Sequence, residues 1–229
     1  MTIPSLFRRR EILLPTLLGF VIIILFIVTI SLVLLKNLAL FLAHNEPAQG
    51  QYLVVEGWLG EPALLEALTT YNSGDYQFLI TTGGPDNRQI NAQYETFADR
   101  AADFIRDQGF DDTKLIVIST PASAQERTFL SAVMVRNWLT ENSTVKPVID
   151  VFSGDVHARR THKLYKMAFA ENTKIGIIAA QANEFDLQHW WRTSEGAKSV
   201  LTESVGLLWV SCCFTPGKSG SHQEKWGIY

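Results

Sequence analysis

A long uncharged apolar run near the N-terminus constrains this chain more than any other feature. Residues 12–35 are 24 consecutive positions without a charge. As a helix the run would span about 36 Å, which exceeds the roughly 30 Å hydrocarbon core of a bilayer. A secretory signal has a shorter apolar core followed by a small-residue cleavage site, and the exit Leu35-Lys36-Asn37-Leu38 offers none. The sequence therefore predicts an uncleaved transmembrane helix rather than a buried core helix.

The charges that flank this run predict its orientation. Arg8, Arg9 and Arg10 stand before it, diluted by Glu11, and Lys36 is the first charge at its far end. Positively charged flanks stay in the cytoplasm. We therefore expect a single-pass protein of the plasma (inner) membrane, with the N-terminus in the cytoplasm and the C-terminal domain outside it.

The rest of the chain is long enough for one domain with its own core. The predicted segments are a basic cytoplasmic tail (1–11), the transmembrane helix (12–35), a linker (36–50), the domain (51–212) and a C-terminal tail (213–229). The net charge is −3 and no basic stripe is interleaved with aromatics, so nucleic acid is not expected as a partner. Cys212 and Cys213 are adjacent, and adjacent cysteines rarely bridge each other, so no disulfide is expected.

Beyond residue 50, short apolar runs alternate with longer helical patterns. The predicted strands are 52–55, 77–81, 115–118, 148–152 and 174–178, and the predicted helices are 61–72, 90–108, 122–139, 156–169 and 186–209. Strands that are continuous apolar runs between helices indicate a parallel sheet covered on both faces. The predicted fold class is α/β, with a Rossmann-like, doubly wound, mostly parallel sheet of about five strands.

Ligands of open parallel sheets bind beyond the carboxyl ends of the strands, and polar residues of this chain cluster there. Glu56 follows the first strand, and Thr82-Gly83-Gly84 closes the second. Thr128 comes after the third strand, and Ser153-Gly154-Asp155-Val156-His157 after the fourth. The glycine pair can present backbone N–H groups to an anion, or it can simply form a turn.

His157 and Arg160 lie three residues apart on the first turn of a helix that would begin near Asp155. An arginine there can bind a phosphate or carboxylate through two N–H groups, and a histidine beside it can exchange a proton near neutral pH. Alternatively, Asp155 only caps the helix, His157 is a half-buried structural histidine and Arg160 is a surface charge. Spacing alone leaves both interpretations open.

Glu203 falls on the apolar stripe of the last predicted helix, between Val200 and Leu207. A buried carboxylate needs a partner, so either it pairs with an arginine such as Arg160 or the helix turns to expose it. The histidines and cysteines show no paired metal-ligand spacing, so no metal is expected. No G-x-S-x-G, Walker or G-x-G-x-x-G motif occurs, and no cofactor is expected.

These elements, in this order, resemble the YdcF/SanA/ElyC-like family over most of residues 51–210. The resemblance implies a Rossmann-like α/β domain, often membrane-anchored, that is linked to bacterial envelope integrity and to peptidoglycan-precursor or lipid-carrier metabolism. The positions that match the family's motifs are Thr82, Gly83, Gly84, Glu95, Thr128, His157, Arg160 and Glu203. The chain departs from the family at Glu56-Gly57-Trp58, where a glycine cluster is expected, and it lacks an arginine in the following helix.

The residues and the resemblance together predict an envelope protein that binds or processes a phosphorylated lipid carrier or cell-wall precursor. Residues 82–84 and Arg160 would bind the anion, with Thr128, Asp155 and Glu203 also contacting ligand. His157 would act as acid or base, oriented by Glu56 or Glu95. Whether turnover occurs stays open, and protein partners are not identified.

Two alternatives remain. The first is a non-catalytic envelope module that binds a partner through an exposed apolar surface such as Trp190-Trp191. The second reverses the orientation, so that the domain faces the cytoplasm and binds a nucleotide-type ligand.

Overall fold

The computed structural model describes residues 13–85, 94–122, 126–143, 146–169 and 173–226. These residues form two compact units, the first ending at Asn37 and the second beginning at Leu38. Each unit is described separately below.

The first unit contains one helix, α1 (Leu17–Lys36). It is 20 residues long with a mean hydropathy of 3.2, and is long and apolar enough to cross a membrane. None of its residues is buried. Thr16 is the N-cap residue of the helix, because its hydroxyl accepts a hydrogen bond from the Gly19 N–H at 3.2 Å. The helix therefore starts later than the predicted position 12, which lies outside the described residues.

The second unit is built on a five-stranded parallel sheet with strand order β3-β2-β1-β4-β5. The strands are β1 (Tyr52–Glu56), β2 (Phe78–Gly83), β3 (Leu115–Ser119), β4 (Ile149–Ser153) and β5 (Ile175–Ala179). The order reverses between β1 and β4, as it does in doubly wound folds. The predicted fold class and all five predicted strands are confirmed.

The helices of this unit are α2 (Leu38–Leu42), α3 (Glu61–Ser73), α4 (Phe97–Asp107), α5 (Arg127–Asn142), α6 (Ala158–Ala168), α7 (Ser194–Cys212) and α8 (His222–Trp226). The predicted helices 61–72 and 156–169 begin and end within two residues of their predicted positions. The predicted helix 122–139 begins five residues later, the helices at 38–42 and 222–226 were not predicted, and two further predicted helices differ as well. The described part of the predicted helix 90–108 begins at Phe97, capped by Thr96. The predicted helix 186–209 is divided into a 3₁₀ turn (Leu187–Arg192) and α7, because extended Thr193 caps α7.

Alternate residues of the strands contribute their side chains to two separate hydrophobic cores, one on each face of the sheet. Val54, Ile80 and Val151 pack against α5 and α6 on one face of the sheet. Leu53 and Leu79 pack against α3 and α4 on the other face. Successive residues of a strand point to opposite faces, so each strand contributes to both cores, and both faces are apolar.

The second unit extends beyond the predicted domain bounds of 51–212. In α2, which belongs to the predicted linker, Ala39 and Leu42 are fully buried. At the other end, Glu224 of α8 forms an ion pair with Arg136, with 2.7 Å between Oε1 and Nη1. Both flanking segments therefore pack as parts of the domain.

The structure joins Cys212 and Cys213 in a disulfide, so the expectation that these cysteines stay unbridged is wrong. That expectation rests on the Cα–Cα distance of adjacent residues, here 3.8 Å. Most disulfides need about 4.4 Å or more. The bridge closes at the last residue of α7, where the helix ends.

Candidate functional site

Three polar side chains form a row at the carboxyl ends of β2, β1 and β4. Thr82 and Glu56 are paired in register, and Ser153 follows Phe152, which pairs with Val55. Each of the three lies two residues beyond an apolar side chain of the α5/α6 core, so all three share that face of the sheet. The row is buried, with exposures of 1% for Thr82, 3% for Glu56 and 0% for Ser153.

Glu56 is the centre of this row. Its carboxylate accepts hydrogen bonds from the Ser153 hydroxyl and, at 3.2 Å, from the Thr161 hydroxyl of α6. The His157 Nε2 atom lies 3.8 Å from Oε1 of Glu56, which is an electrostatic contact but too long for a hydrogen bond. A buried carboxylate needs such donors, so Ser153 and Thr161 explain how Glu56 is tolerated in the core.

His157 lies at the start of α6 and links this row to α5 and α7. Its Nδ1 is 3.0 Å from Oε1 of Glu203, and its Nε2 is 3.5 Å from the Thr128 hydroxyl. Nη2 of Arg160 also lies 3.0 Å from Nδ1. Because a carboxylate can only accept, we assign the tautomer with a proton on Nδ1, whose N–H then donates a hydrogen bond to Glu203. Nε2 of the neutral ring then has a free lone pair on the side of Thr128, and can accept a proton.

Glu203 is held by two donors of Arg160. The Arg160 Nε lies 2.8 Å from Oε2, and Nη2 lies 3.2 Å from Oε1. A third nitrogen, Nη1, is 3.6 Å from Glu126. The aliphatic part of the Arg160 side chain passes over Gly206. A Cβ added at Gly206 would lie 3.0 Å from the Cδ of Arg160. Of the two outcomes that the apolar stripe left open for Glu203, the structure shows the pairing with Arg160.

This arrangement determines the charge of Glu203. Burial alone would raise the pKa of its carboxyl, but the hydrogen bonds from His157 and Arg160 lower it to about 2. Glu203 is therefore ionised at neutral pH and stabilises a positive charge on His157. The net shift of Asp155 has the opposite sign, because burial raises the pKa of that carboxyl and outweighs the hydrogen bond that the Val156 N–H donates to it.

A cavity of about 500 Å³ opens beside His157 and Glu203. Asp155, Trp58 and Lys198 also line it. The Trp58 ring meets the His157 ring edge-on, with 5.1 Å between centroids. Trp58 can lie over the loop because residue 154 is glycine, where a Cβ would come within 2.7 Å of the indole. The cavity combines an aromatic wall, a histidine and one ammonium group with the carboxyl groups of Asp155, Glu184 and Glu203.

The other predicted site residues do not line this cavity. Gly83 and Gly84 allow close packing instead, since a Cβ would lie 2.9 Å from the Phe97 Cβ at Gly83 and 2.9 Å from the Thr120 hydroxyl at Gly84. The Thr82 hydroxyl is buried and has no hydrogen-bond partner among the described residues. Glu95 is exposed and makes no ion pair with any residue in the described ranges.

Sequence reasoning missed several residues of the site. Ser153 lies four residues before His157, and Thr161 lies four residues after it. This spacing could have marked both hydroxyls as partners of a carboxylate. Glu126 stands next to Arg127-Thr128 but carries no signal that would place it near Arg160. Lys198 likewise has no sequence signal, because its position at the cavity depends on how α7 packs.

A second group of titratable side chains lies elsewhere in the domain. Ligand atoms of His44, Glu46 and His162 all lie within 4.8 Å of one another, which is a spacing that a metal ion could bridge. However, the Arg159 guanidinium lies 3.2 Å from Nδ1 of His44. The second ring nitrogen of His162, Nε2, is 2.9 Å from the Ile175 carbonyl. The contact with the Ile175 carbonyl is compatible with a metal-binding histidine, whereas the positive charges of Arg159 and Lys166 beside the group oppose a cation.

No protein-family model matches the chain, and no curated protein matches it either.

Proposed function

We propose that this chain is a membrane-anchored protein of the YdcF/SanA/ElyC-like family that binds or processes a phosphorylated lipid carrier or cell-wall precursor and so supports envelope integrity. The observation that carries the proposal is the connected set Thr128, His157 and Glu203 at the carboxyl ends of the strands, beside an open cavity. The transmembrane candidate α1 supports the membrane setting.

The proposed roles follow from the contacts of each group. His157 accepts a proton at Nε2, and Glu203 stabilises the imidazolium that forms. Arg160 is a positioning residue, because its Nε and Nη2 both donate to Glu203 and are not free to hold a ligand. This differs from the sequence expectation that Arg160 binds the anion directly.

A phosphate group would then be bound by other parts of the cavity. Lys198 supplies a positive charge at its wall. The N-terminal end of α6, at His157, adds the positive end of a helix dipole. Trp58, whose ring is 42% exposed, offers an apolar surface to the remainder of the ligand.

We expect His157→Asn to abolish complementation in a strain that lacks this protein and is sensitive to envelope stress. Asparagine keeps a donor toward Glu203 but cannot take up a proton, and loss of a general acid–base group typically costs roughly 10²–10⁴-fold in rate. Colony survival under envelope stress is the measurement, with immunoblotting to show that each protein accumulates.

Matched variants sharpen this test. His189→Asn changes an exposed histidine away from the cavity and should complement fully. Thr128→Ser keeps the hydroxyl near Nε2 and should complement, whereas Thr128→Val should not. Full complementation by His157→Asn would exclude the proposed acid–base role.

The two alternatives rest on different observations. The partner-binding module was expected to use Trp190-Trp191, but Trp190 is buried at 3% exposure and only Trp191, at 40%, faces solvent. That alternative therefore loses half of its proposed surface. The orientation stays a proposal based on the flanking arginines. A reporter fused after Tyr229, either alkaline phosphatase or green fluorescent protein, distinguishes the two sides of the membrane.

A further inference from the structure

An exposed apolar stripe runs along α7, on the side away from the core. It consists of Leu201, Val205, Leu208 and Trp209, which we call the α7 stripe, and each of these side chains is more than half exposed. Their spacing places them on one face of the helix. Solvent-facing helix surfaces are normally polar, so a contiguous apolar face indicates a surface that binds something apolar.

A basic pocket borders this stripe. Leu207 and Ser211 of α7 line a pocket of about 670 Å³, and Arg159, Lys163 and Lys166 of α6 line its other side. Among the described residues of the lining, Glu46 is the only acidic one. Leu208 directly follows Leu207 in the helix, so the α7 stripe and the pocket share an edge. The pocket is suited to a phosphate group that is attached to an apolar molecule.

The length of chain between α1 and the pocket limits how far the pocket can lie from a membrane that α1 crosses. Phe41 lines the pocket, half of its side chain is exposed, and the Arg159 guanidinium lies 3.9 Å above its ring. Phe41 is five residues beyond Lys36, where α1 ends. Five residues span at most about 18 Å. If α1 crosses a bilayer, the pocket is therefore tethered within a short distance of the lipid headgroups.

We propose that the α7 stripe and the basic pocket together form a docking surface for an anionic bilayer. The apolar side chains enter the boundary between headgroups and acyl chains, with Trp209 at the depth where tryptophan is favoured. Lys163 and Lys166 bind phosphate groups of anionic phospholipids. The proposal depends on α1 as an anchor but not on the chemistry of the His157 cavity.

The test uses tryptophan fluorescence of the full-length protein in nanodiscs of phosphatidylcholine and phosphatidylglycerol with brominated acyl chains, which quench nearby indoles. All six tryptophans lie beyond α1, so any quenching reports on the domain and not on the anchor. We expect quenching in brominated nanodiscs, and we expect Trp209→Phe to remove most of the quenchable emission. Trp191→Phe, which removes another exposed indole, should remove little of it.

Two further variants test the two parts of the surface. Val205→Glu places a charge in the α7 stripe and should abolish the quenching, whereas Leu65→Glu, at an exposed leucine of α3, should not. Lys163→Gln with Lys166→Gln should reduce the quenching in anionic nanodiscs and make it insensitive to salt.

Two results would overturn the proposal. These are no quenching of the wild type, or quenching in Val205→Glu equal to that of the wild type. If Val205→Glu with unchanged quenching also changes a dimer into a monomer, the α7 stripe is assigned to a second copy of the chain.

Discussion

Arg160→Ala is expected to destabilise the domain by about 3 kcal/mol, because it leaves a buried carboxylate without its main partner. The side chains of Arg160 and Glu203 are only 18% and 14% exposed, and the arginine donates two hydrogen bonds to the glutamate. Without these bonds Glu203 keeps only His157 as a close partner. Denaturant unfolding in detergent, followed by tryptophan emission, measures the change in the domain alone.

A surface arginine provides the control for this prediction. Arg106 forms a 2.7 Å ion pair with Asp112, but the two side chains are 41% and 69% exposed. Arg106→Ala should therefore cost less than about 1 kcal/mol. The double variant Arg160→Met with Glu203→Leu removes both buried charges and should recover most of the lost stability. Equal effects of Arg160→Ala and Arg106→Ala would show that the buried pair is not structural.

Asp150→Ala is expected to have a comparable or larger effect, about 4 kcal/mol, through a different set of contacts. Asp150 is fully buried in β4, and its carboxylate accepts hydrogen bonds from the N–H groups of Ala48 and Gly50 and from the Tyr76 hydroxyl. Alanine would leave all three donors unpaired, at roughly 1–3 kcal/mol for each buried one. The same unfolding experiment measures this loss.

The partners of Asp150 supply graded variants. Tyr76→Phe removes one of the three hydrogen bonds at 3.0 Å and keeps the ring, so it should cost about 1 kcal/mol. Asp150→Asn keeps one acceptor oxygen and should fall between Tyr76→Phe and Asp150→Ala. If Asp150→Ala were no more destabilising than Tyr76→Phe, the two backbone bonds to the segment before β1 would contribute nothing to stability.

Asp150 also shows what the sequence could not reveal. Strand 148–152 is predicted from its apolar residues, and the acid in its middle looks like an exception to that pattern. Its backbone partners at positions 48 and 50 are about a hundred residues away in the chain and belong to a segment predicted to be a linker. Only the folded structure shows that this segment is fastened to the sheet.

The fold was predictable because its signals are local. Alternating strands and helices determine the parallel sheet, and the three-residue spacing of His157 and Arg160 brings their side chains within 3.0 Å. The pairing with Glu203 was predictable as one of two outcomes, because a carboxylate on an apolar stripe needs a donor. The role of Arg160 was not, since its two bonds to Glu203 depend on how α7 crosses α6.

The glycine pair shows the opposite limit. Gly83 and Gly84 stand at the end of a strand, as phosphate-binding glycines do. The space beside each glycine is nevertheless occupied by a neighbouring residue, Phe97 at Gly83 and Thr120 at Gly84. A short glycine motif reports that the backbone must pass close to something, and the sequence does not say whether that is a ligand or another part of the chain. The cavity lies instead at residues 154–157, beside α7.

The central claim is that the cavity beside His157 holds a phosphorylated ligand, and mass spectrometry of molecules that co-purify with the full-length protein tests it most directly. The account predicts a phosphorylated lipid, other than the phospholipids that the basic pocket binds, on the wild type and on Val205→Glu, and its loss from Lys198→Glu. Equal amounts of that lipid on the wild type and on Lys198→Glu, or no phosphorylated molecule on the wild type, would contradict it.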